Sequence, residues 1–102
     1  MTRYARRQDA SQEAIVEALR WAGLAVRDLS GAGQGCPDLA VSWGQRTAFV
    51  EVKTEGTRYG KRLNDNQADW CDGWEGIVVV LRTAEEAIDW ATAFKAQGGE
   101  VP

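Results

Sequence analysis

The chain has 102 residues, 44% of them hydrophobic and 26% charged, a size that fits one compact domain. It contains no histidine, which excludes Ser-His-Asp and Cys-His catalysis and every metal site built on imidazole. Two cysteines, Cys36 and Cys71, form no CxxC motif or disulfide framework and favour a reducing compartment. Because no apolar run reaches the roughly 20 residues of a membrane span and no signal peptide is evident, we expect a cytoplasmic protein with no membrane partner.

The net charge of −3 and the pI near 4.9 argue at first against a nucleic-acid partner. The charges are unevenly distributed, however. Residues 1–62 contain 10 Lys/Arg and 7 Asp/Glu, whereas residues 63–102 contain 2 Lys/Arg and 8 Asp/Glu. A basic front half therefore leaves a basic surface possible in spite of the acidic total.

The chain begins with a basic segment, residues 1–8, that includes Arg6 and Arg7. It is predicted to be an N-terminal arm, with a frayed terminus as the alternative, and residues 9–102 are predicted to form the single domain. Apolar residues at i, i+3, i+4 and i+7, from Ile15 to Ala22, predict an amphipathic helix over 9–22. Gly23 stands where a helix C-cap glycine is expected.

Three strands are predicted next, over 24–29, 38–43 and 46–53, with a type II′ turn at Gly44-Gln45 joining the last two. A loop and a short helix over 64–72 follow. The apolar run 77–81 predicts a strand buried on both faces, and Thr83 with Glu86 forms a capping box that starts a last helix reaching about residue 96. The predicted fold class is α/β, a mixed β-sheet flanked by helices in the order α-β-β-β-α-β-α.

The predicted hairpin places two carboxylates directly opposite each other, Asp38 and Glu51, and the period of two along the strand adds Lys53 to the same face. Carboxylate oxygens without His or Cys suit a hard cation, so Mg²⁺ or Mn²⁺ is expected. Such an ion, with Lys53 beside it, is suited to the hydrolysis of phosphodiester bonds. The alternative is a surface salt bridge among three charges on a solvated sheet face.

At these residues the sequence resembles the VRR-NUC branch of the PD-(D/E)XK nuclease superfamily. The resemblance is carried by the Gly35-Cys36-Pro37-Asp38-Leu39 stretch, by Phe49-Val50-Glu51-Val52-Lys53-Thr54, and by Leu63 with Asn66-Gln67-Ala68-Asp69-Trp70. It implies a restriction-endonuclease-like fold. It also implies a metal-dependent endodeoxyribonuclease with Asp38 and Glu51 as metal ligands, the Val52 carbonyl as a further ligand and Lys53 as the catalytic lysine.

The same resemblance assigns Gln67 to the site, although Asn64 and Gln67 also have the N-cap and N3 spacing of a helix start. The family's glutamate near the start of the first helix has no counterpart, because Gln8 occupies that position. Asp9 or Glu13 are the candidate substitutes. Standalone phage and bacterial members of the family act on Holliday junctions as dimers, which implies a homodimer that cuts branched or duplex DNA.

Further DNA contacts are predicted in two loops. Gly33 and Gly35 lie in a glycine-rich loop that lacks the Lys-Ser/Thr ending of a P-loop, so no nucleotide cofactor is expected. Basic and aromatic residues suited to phosphate contact and stacking follow the third strand: Arg58, Tyr59, Lys61 and Arg62. The five tryptophans exceed what one small core needs, which favours a dimer interface. The alternative function is a nuclease-fold protein that has lost turnover and acts as a nucleic-acid-binding or regulatory module.

Overall fold

The computed structural model describes residues 3–53 and 65–99, and the side chains of 12–53 and 67–97. Seven elements follow in the predicted order α-β-β-β-α-β-α. They are α1 (Arg3–Trp21), β1 (Ala25–Asp28), β2 (Leu39–Trp43), β3 (Arg46–Val52), α2 (Asp65–Asp72), β4 (Ile77–Leu81) and α3 (Ala84–Gly99). The α/β fold class is therefore confirmed, and the architecture is consistent with a restriction-endonuclease-like fold.

The sheet has the strand order β1-β2-β3-β4. β1, β2 and β3 are antiparallel neighbours, and β4 runs parallel to β3. Trp43 pairs with Arg46 and Leu39 with Val50, as the predicted hairpin requires. The turn type was predicted wrongly, because φ is 61° at Gly44 and 70° at Gln45, and positive φ at both central positions is typical of a type I′ turn.

Helix α1 begins at Arg3, earlier than the predicted start at residue 9, so the residues 3–8 that were predicted as an arm are helical. Its other end is fixed by a Schellman motif. Gly23 has a φ of 103°; its N–H donates to the Arg20 carbonyl at 2.9 Å, and the Leu24 N–H donates to the Leu19 carbonyl at 3.1 Å. Two otherwise unsatisfied helix carbonyls thereby gain donors, and the chain turns directly into β1.

The core lies between one face of the sheet and the helix pair α1 and α3. It contains Ile15 and Leu19 of α1, Val41 and Val50 of the sheet and Phe94 of α3, all nearly inaccessible to solvent. Helix α2 contacts the opposite face of the sheet, where Phe49 packs edge-on against Trp70, with 5.3 Å between ring centroids. The strand end that carries Glu51 is therefore covered by a helix on each side.

Strand β4 departs from its prediction. Instead of being buried on both faces, it is the last strand of the sheet, and only Leu81 of its five residues is buried. Helix α3 begins at Ala84, directly after its predicted N-cap Thr83, whose Oγ accepts the Glu86 N–H at 3.0 Å. The Glu86 carboxylate accepts the N–H of Arg82, at 2.7 Å, and not that of Thr83.

Candidate active site

Asp38 is held from two directions immediately before β2. Its carbonyl accepts the Leu29 N–H at 2.7 Å, which extends the pairing between the ends of β1 and β2. Its carboxylate Oδ2 accepts the Val52 N–H at 2.9 Å, which ties it to the end of β3. Asp38 lies just outside the strand in which it was predicted, and the second bond brings its carboxylate to the Glu51-Val52-Lys53 segment.

Among the described side chains, the charged one that is buried is Glu51, with 4% exposure. Its Oε2 accepts a hydrogen bond from Gln67 Nε2 and lies 3.4 Å from Lys53 Nζ. Its other oxygen, Oε1, is buried and has no hydrogen-bond partner among the described residues. A buried acceptor left unsatisfied costs about 1–3 kcal/mol, so this oxygen indicates a missing partner.

Gln67 connects the charged pair. While its Nε2 donates to Glu51, its Oε1 accepts from Lys53 Nζ at 2.8 Å. This requires α2 to lie against the end of β3, which the packing of Trp70 and Trp74 on Phe49 secures. The structure thus brings together the four residues predicted to be catalytic: Asp38, Glu51, Lys53 and Gln67.

Burial is the main cause of a pKa shift in the same direction at both acids. Burial, and then the negative charge of Asp38, raises the pKa of Glu51 to about 7. Burial also raises the pKa of Asp38, against the opposing effects of the Val52 N–H and Lys53. Two carboxylates whose charged forms are disfavoured by burial form a site that a cation would stabilise.

The residues at this site fit a hard divalent cation. The donors are carboxylate oxygens, one of them the unsatisfied Glu51 Oε1, and oxygen is the donor that Mg²⁺ and Mn²⁺ prefer. Within the described residues no group of three or more His, Cys, Asp or Glu side chains is placed to hold a metal. A cation here would be held by Asp38, Glu51 and the Val52 carbonyl, with water completing the shell.

The predicted substitutes for the helix glutamate are not brought to this cluster by any described contact. Glu13 is exposed and has no described bond to the site. Asp9 lies within α1, but its side chain is outside the described residues, as are those of Arg6 and Arg7. The loop positions predicted to bind DNA, Arg58, Tyr59, Lys61 and Arg62, also lie outside the described residues.

The glycine-rich loop between β1 and β2 is described. Its residues Gly33, Gln34 and Gly35 have φ values of 72°, 55° and 80°, a left-handed run that glycine adopts without steric cost. The Cys36 N–H donates to the Gly33 carbonyl at 3.1 Å. This turn brings the chain back to Asp38, so the two glycines help to position that carboxylate.

Sequence reasoning missed two neighbours of the site. The charge of Asp28 contributes to raising the pKa of Asp38; Ser30 lowers the pKa of Asp28 itself by hydrogen bonds from its hydroxyl and N–H. Cys71 lies near Glu51, since burial and the Glu51 charge raise the pKa of its thiol. Its spacing four residues after Gln67, on one helical face, could have revealed it.

A family model, the VRR-NUC domain, matches residues 3–76, from α1 through the segment before β4. The chain belongs to the VRR-NUC family. VRR-NUC is a nuclease domain family of the PD-(D/E)XK superfamily, so this VRR-NUC chain is a nuclease with DNA as its substrate. Comparison with curated proteins and with solved structures gives no match. No helix in the described part of the chain is long and apolar enough to cross a membrane.

Proposed function

We propose that this VRR-NUC protein is a Mg²⁺- or Mn²⁺-dependent, structure-selective endonuclease that hydrolyses phosphodiester bonds in branched DNA such as Holliday junctions. The observation that carries the proposal is the closeness of Asp38 to a buried Glu51 whose Oε1 has no partner among the described residues, beside Lys53. The alternative given by the sequence, a surface salt bridge, would leave its carboxylates solvated, whereas Glu51 has 4% exposure.

Each residue has a distinct task. Asp38 and Glu51 would hold the cation, which when bound polarises a phosphoryl oxygen and lowers the pKa of water. Lys53, whose ammonium lies 3.4 Å from Glu51, would orient the attacking water or stabilise the charge that develops on the phosphate. Gln67 keeps Lys53 and Glu51 in place through its two hydrogen bonds.

DNA binding would use the basic front half of the chain. Gly33 and Gly35 let the backbone come close to phosphate, and the predicted contacts Arg6, Arg7, Arg58, Tyr59, Lys61 and Arg62 would supply charge and a stacking surface. One chain carries one Asp38-Glu51-Lys53 cluster. Cutting two strands of a junction would therefore require a second copy related by two-fold symmetry, and we propose a homodimer.

The second candidate is a nuclease-fold protein that binds branched DNA without turnover. It is favoured by Gln8 at the position of the family's helix glutamate and by the exposure of Glu13, which leave no described third carboxylate at the site. Loss of that carboxylate would weaken a second cation while leaving Asp38 and Glu51 intact. Binding without cleavage would support this candidate.

The test is incubation of the full chain with labelled four-way junction, flap, linear duplex and single strand, in EDTA, Mg²⁺ or Mn²⁺. We expect cation-dependent cleavage of the junction that Lys53→Met reduces by at least about 100-fold. Lys95→Met is the matched control, because Lys95 is also half-buried but donates to the Ala22 carbonyl at the end of α1. Cleavage of no substrate, or equal cleavage by Lys53→Met, would contradict the proposal.

A further inference from the structure

The sheet face that carries Glu51 has a covered half and an open half. Phe49 lies on this face by the alternation along β3, and Trp70 of α2 packs against it. The register continues from Phe49 across β2 and β1 to Ala40 and Arg27, and directly opposed residues share a face. Apart from Arg27, the side chains of this outer half are short; the half consists of Ala25, Arg27, Ala40 and Ser42. Ala25 and Arg27 are exposed, so this part of the face is open to solvent.

Arg27 lies beside the candidate active site on this open half. Its register partner, Ala40, stands two residues after Asp38, and the Leu29 N–H donates to the Asp38 carbonyl at 2.7 Å. Arg27 and Asp38 are therefore diagonal neighbours on one face, roughly 7–8 Å apart across the two strands. A ligand that extends from the Asp38-Glu51 pair towards the β1 edge of the sheet comes within reach of the Arg27 side chain.

The guanidinium of Arg27 holds no other element of the fold among the described residues. Arg46, by contrast, donates to the Phe94 carbonyl of α3 at 3.0 Å, and Lys95 donates to a carbonyl at the end of α1. Arg27 donates through Nη1 to the carbonyl of its chain neighbour Val26, at 3.2 Å. Since a guanidinium has several N–H donors in a fixed fork, it can keep this bond and still bind a ligand.

The charges on the two halves favour the open half as the path of a phosphate backbone. Helix α2, which covers the other half, exposes Asp69 and Asp72, and their carboxylates repel phosphate. On the open half the acidic neighbour of Arg27 is Asp28. Its Oδ1 accepts hydrogen bonds from the Ser30 N–H at 2.8 Å and the Ser30 hydroxyl at 2.6 Å. A strand that approaches over β1 and β2 therefore avoids the acidic surface of α2 and passes a cation.

We propose that Arg27 binds a backbone phosphate of the DNA strand that is cut, close to the scissile phosphate, where that strand crosses the open half of the sheet. This inference rests on the proposed function, because it places the scissile phosphate at the Asp38-Glu51 pair. A guanidinium binds phosphate through two parallel N–H···O bonds. The contact fixes the position of the strand on the sheet and adds affinity, and it reads no base sequence.

Binding of labelled four-way junction tests the contact. All proteins carry Lys53→Met, so that the Kd is measured in Mg²⁺ with little cleavage, over a range of salt concentrations. Arg27→Gln should raise the Kd by about 5- to 20-fold and lower the slope of log K against log salt by about one, because one phosphate contact is lost. Arg27→Lys keeps the charge and should keep the slope while it loses part of the affinity. Arg20→Gln, on exposed surface of α1, is the matched control.

A second experiment identifies the phosphate. Each phosphate near the branch point is replaced in turn by an uncharged methylphosphonate, and the Kd is measured with Arg27 and with Arg27→Gln. At one position the replacement should raise the Kd of the protein that has Arg27 by about the same factor as Arg27→Gln does. The same replacement should leave the Kd of Arg27→Gln unchanged, because the contact is already lost in that variant.

Three results would overturn this inference. They are an unchanged Kd in Arg27→Gln, an equal rise in Arg20→Gln, and methylphosphonate effects that are the same with and without Arg27 at every position. None of these measurements depends on cleavage. A protein that shows the coupling between Arg27 and one phosphate but cuts no substrate contradicts only the proposed function. A protein that cuts the junction and binds it independently of Arg27 contradicts only this inference.

Discussion

Gln67 joins Glu51 to Lys53 by donating from Nε2 to the carboxylate and accepting the lysine ammonium on Oε1. A side-chain amide is suited to this task because it offers a donor and an acceptor at once. It thereby lets a carboxylate and an ammonium lie 3.4 Å apart in a fixed orientation. The two charged side chains come from the end of β3 and the residue that follows it, and the amide comes from α2, so the site depends on the docking of that helix.

Gln67→Ala should lower kcat for junction cleavage by about 10- to 100-fold, as loss of a residue that orients a metal ligand or its partner usually does. KM should change little, because Gln67 makes its hydrogen bonds to Glu51 and Lys53. Single-turnover and steady-state kinetics measure both quantities. Gln97→Ala, on the exposed surface of α3, is the control, and a rise in KM with unchanged kcat would assign Gln67 to DNA binding.

Sequence patterns predicted most of this arrangement because the sheet register follows from local rules. A two-residue turn fixed the pairing of Trp43 with Arg46, and alternation along β3 then put Glu51 and Lys53 together. The turn type was missed, since a left-handed residue at Gln45 carries no glycine signal. The position of β4 at the sheet edge was missed as well. An apolar run indicates burial, and it contains no information on whether the strand lies at the centre or at the edge of the sheet.

The stability of the metal-free chain should fall as pH rises, and Glu51 is the reason. Its pKa is raised from an ordinary value of 4.5 to about 7 in the fold, so between these values the folded state binds more protons than the unfolded state. The stabilising contribution is complete below about pH 4.5 and is lost as pH rises through about 7. In EDTA, the free energy of unfolding of the wild type should fall by on the order of 2 kcal/mol across this window. That of Glu51→Gln should not show this fall.

Urea unfolding at pH 5 and pH 8 in EDTA measures this difference. Glu13→Gln, which neutralises an exposed carboxylate, should retain the wild-type pH dependence. If wild type and Glu51→Gln respond equally to pH, Glu51 is not the group that carries the effect.

Gly76 is required by the Trp74 ring. A Cβ at position 76 would lie 2.6 Å from Trp74 Nε1 and 3.3 Å from Cε2, and the ring is held by stacking on Trp70 and by its edge contact with Phe49. Gly76→Ala should therefore displace Trp74 and lower the free energy of unfolding by about 1–3 kcal/mol. Near-ultraviolet circular dichroism and urea unfolding report the two effects. Gly73→Ala is the matched control, because a Cβ there has no atom within 4 Å, and an equal loss in both variants would contradict the steric argument.

Asp38→Asn should show separately how the Asp38 carboxylate affects the stability of the metal-free protein and whether it binds the cation. The variant keeps an acceptor for the Val52 N–H but removes a half-buried charge that faces Asp28 and Glu51. Without metal, at pH 8, it should be more stable than wild type by about 1 kcal/mol, because like-charge repulsion is relieved.

Wild type should gain about 1.4 kcal/mol at a Mn²⁺ concentration tenfold above its Kd, a gain that Asp38→Asn should lose together with cleavage. Thermal unfolding in EDTA and in Mn²⁺ measures both, with Asp72→Asn on exposed α2 surface as the control. A variant that is destabilised without metal and still stabilised by Mn²⁺ would mean that Asp38 holds the β2–β3 junction and not a cation.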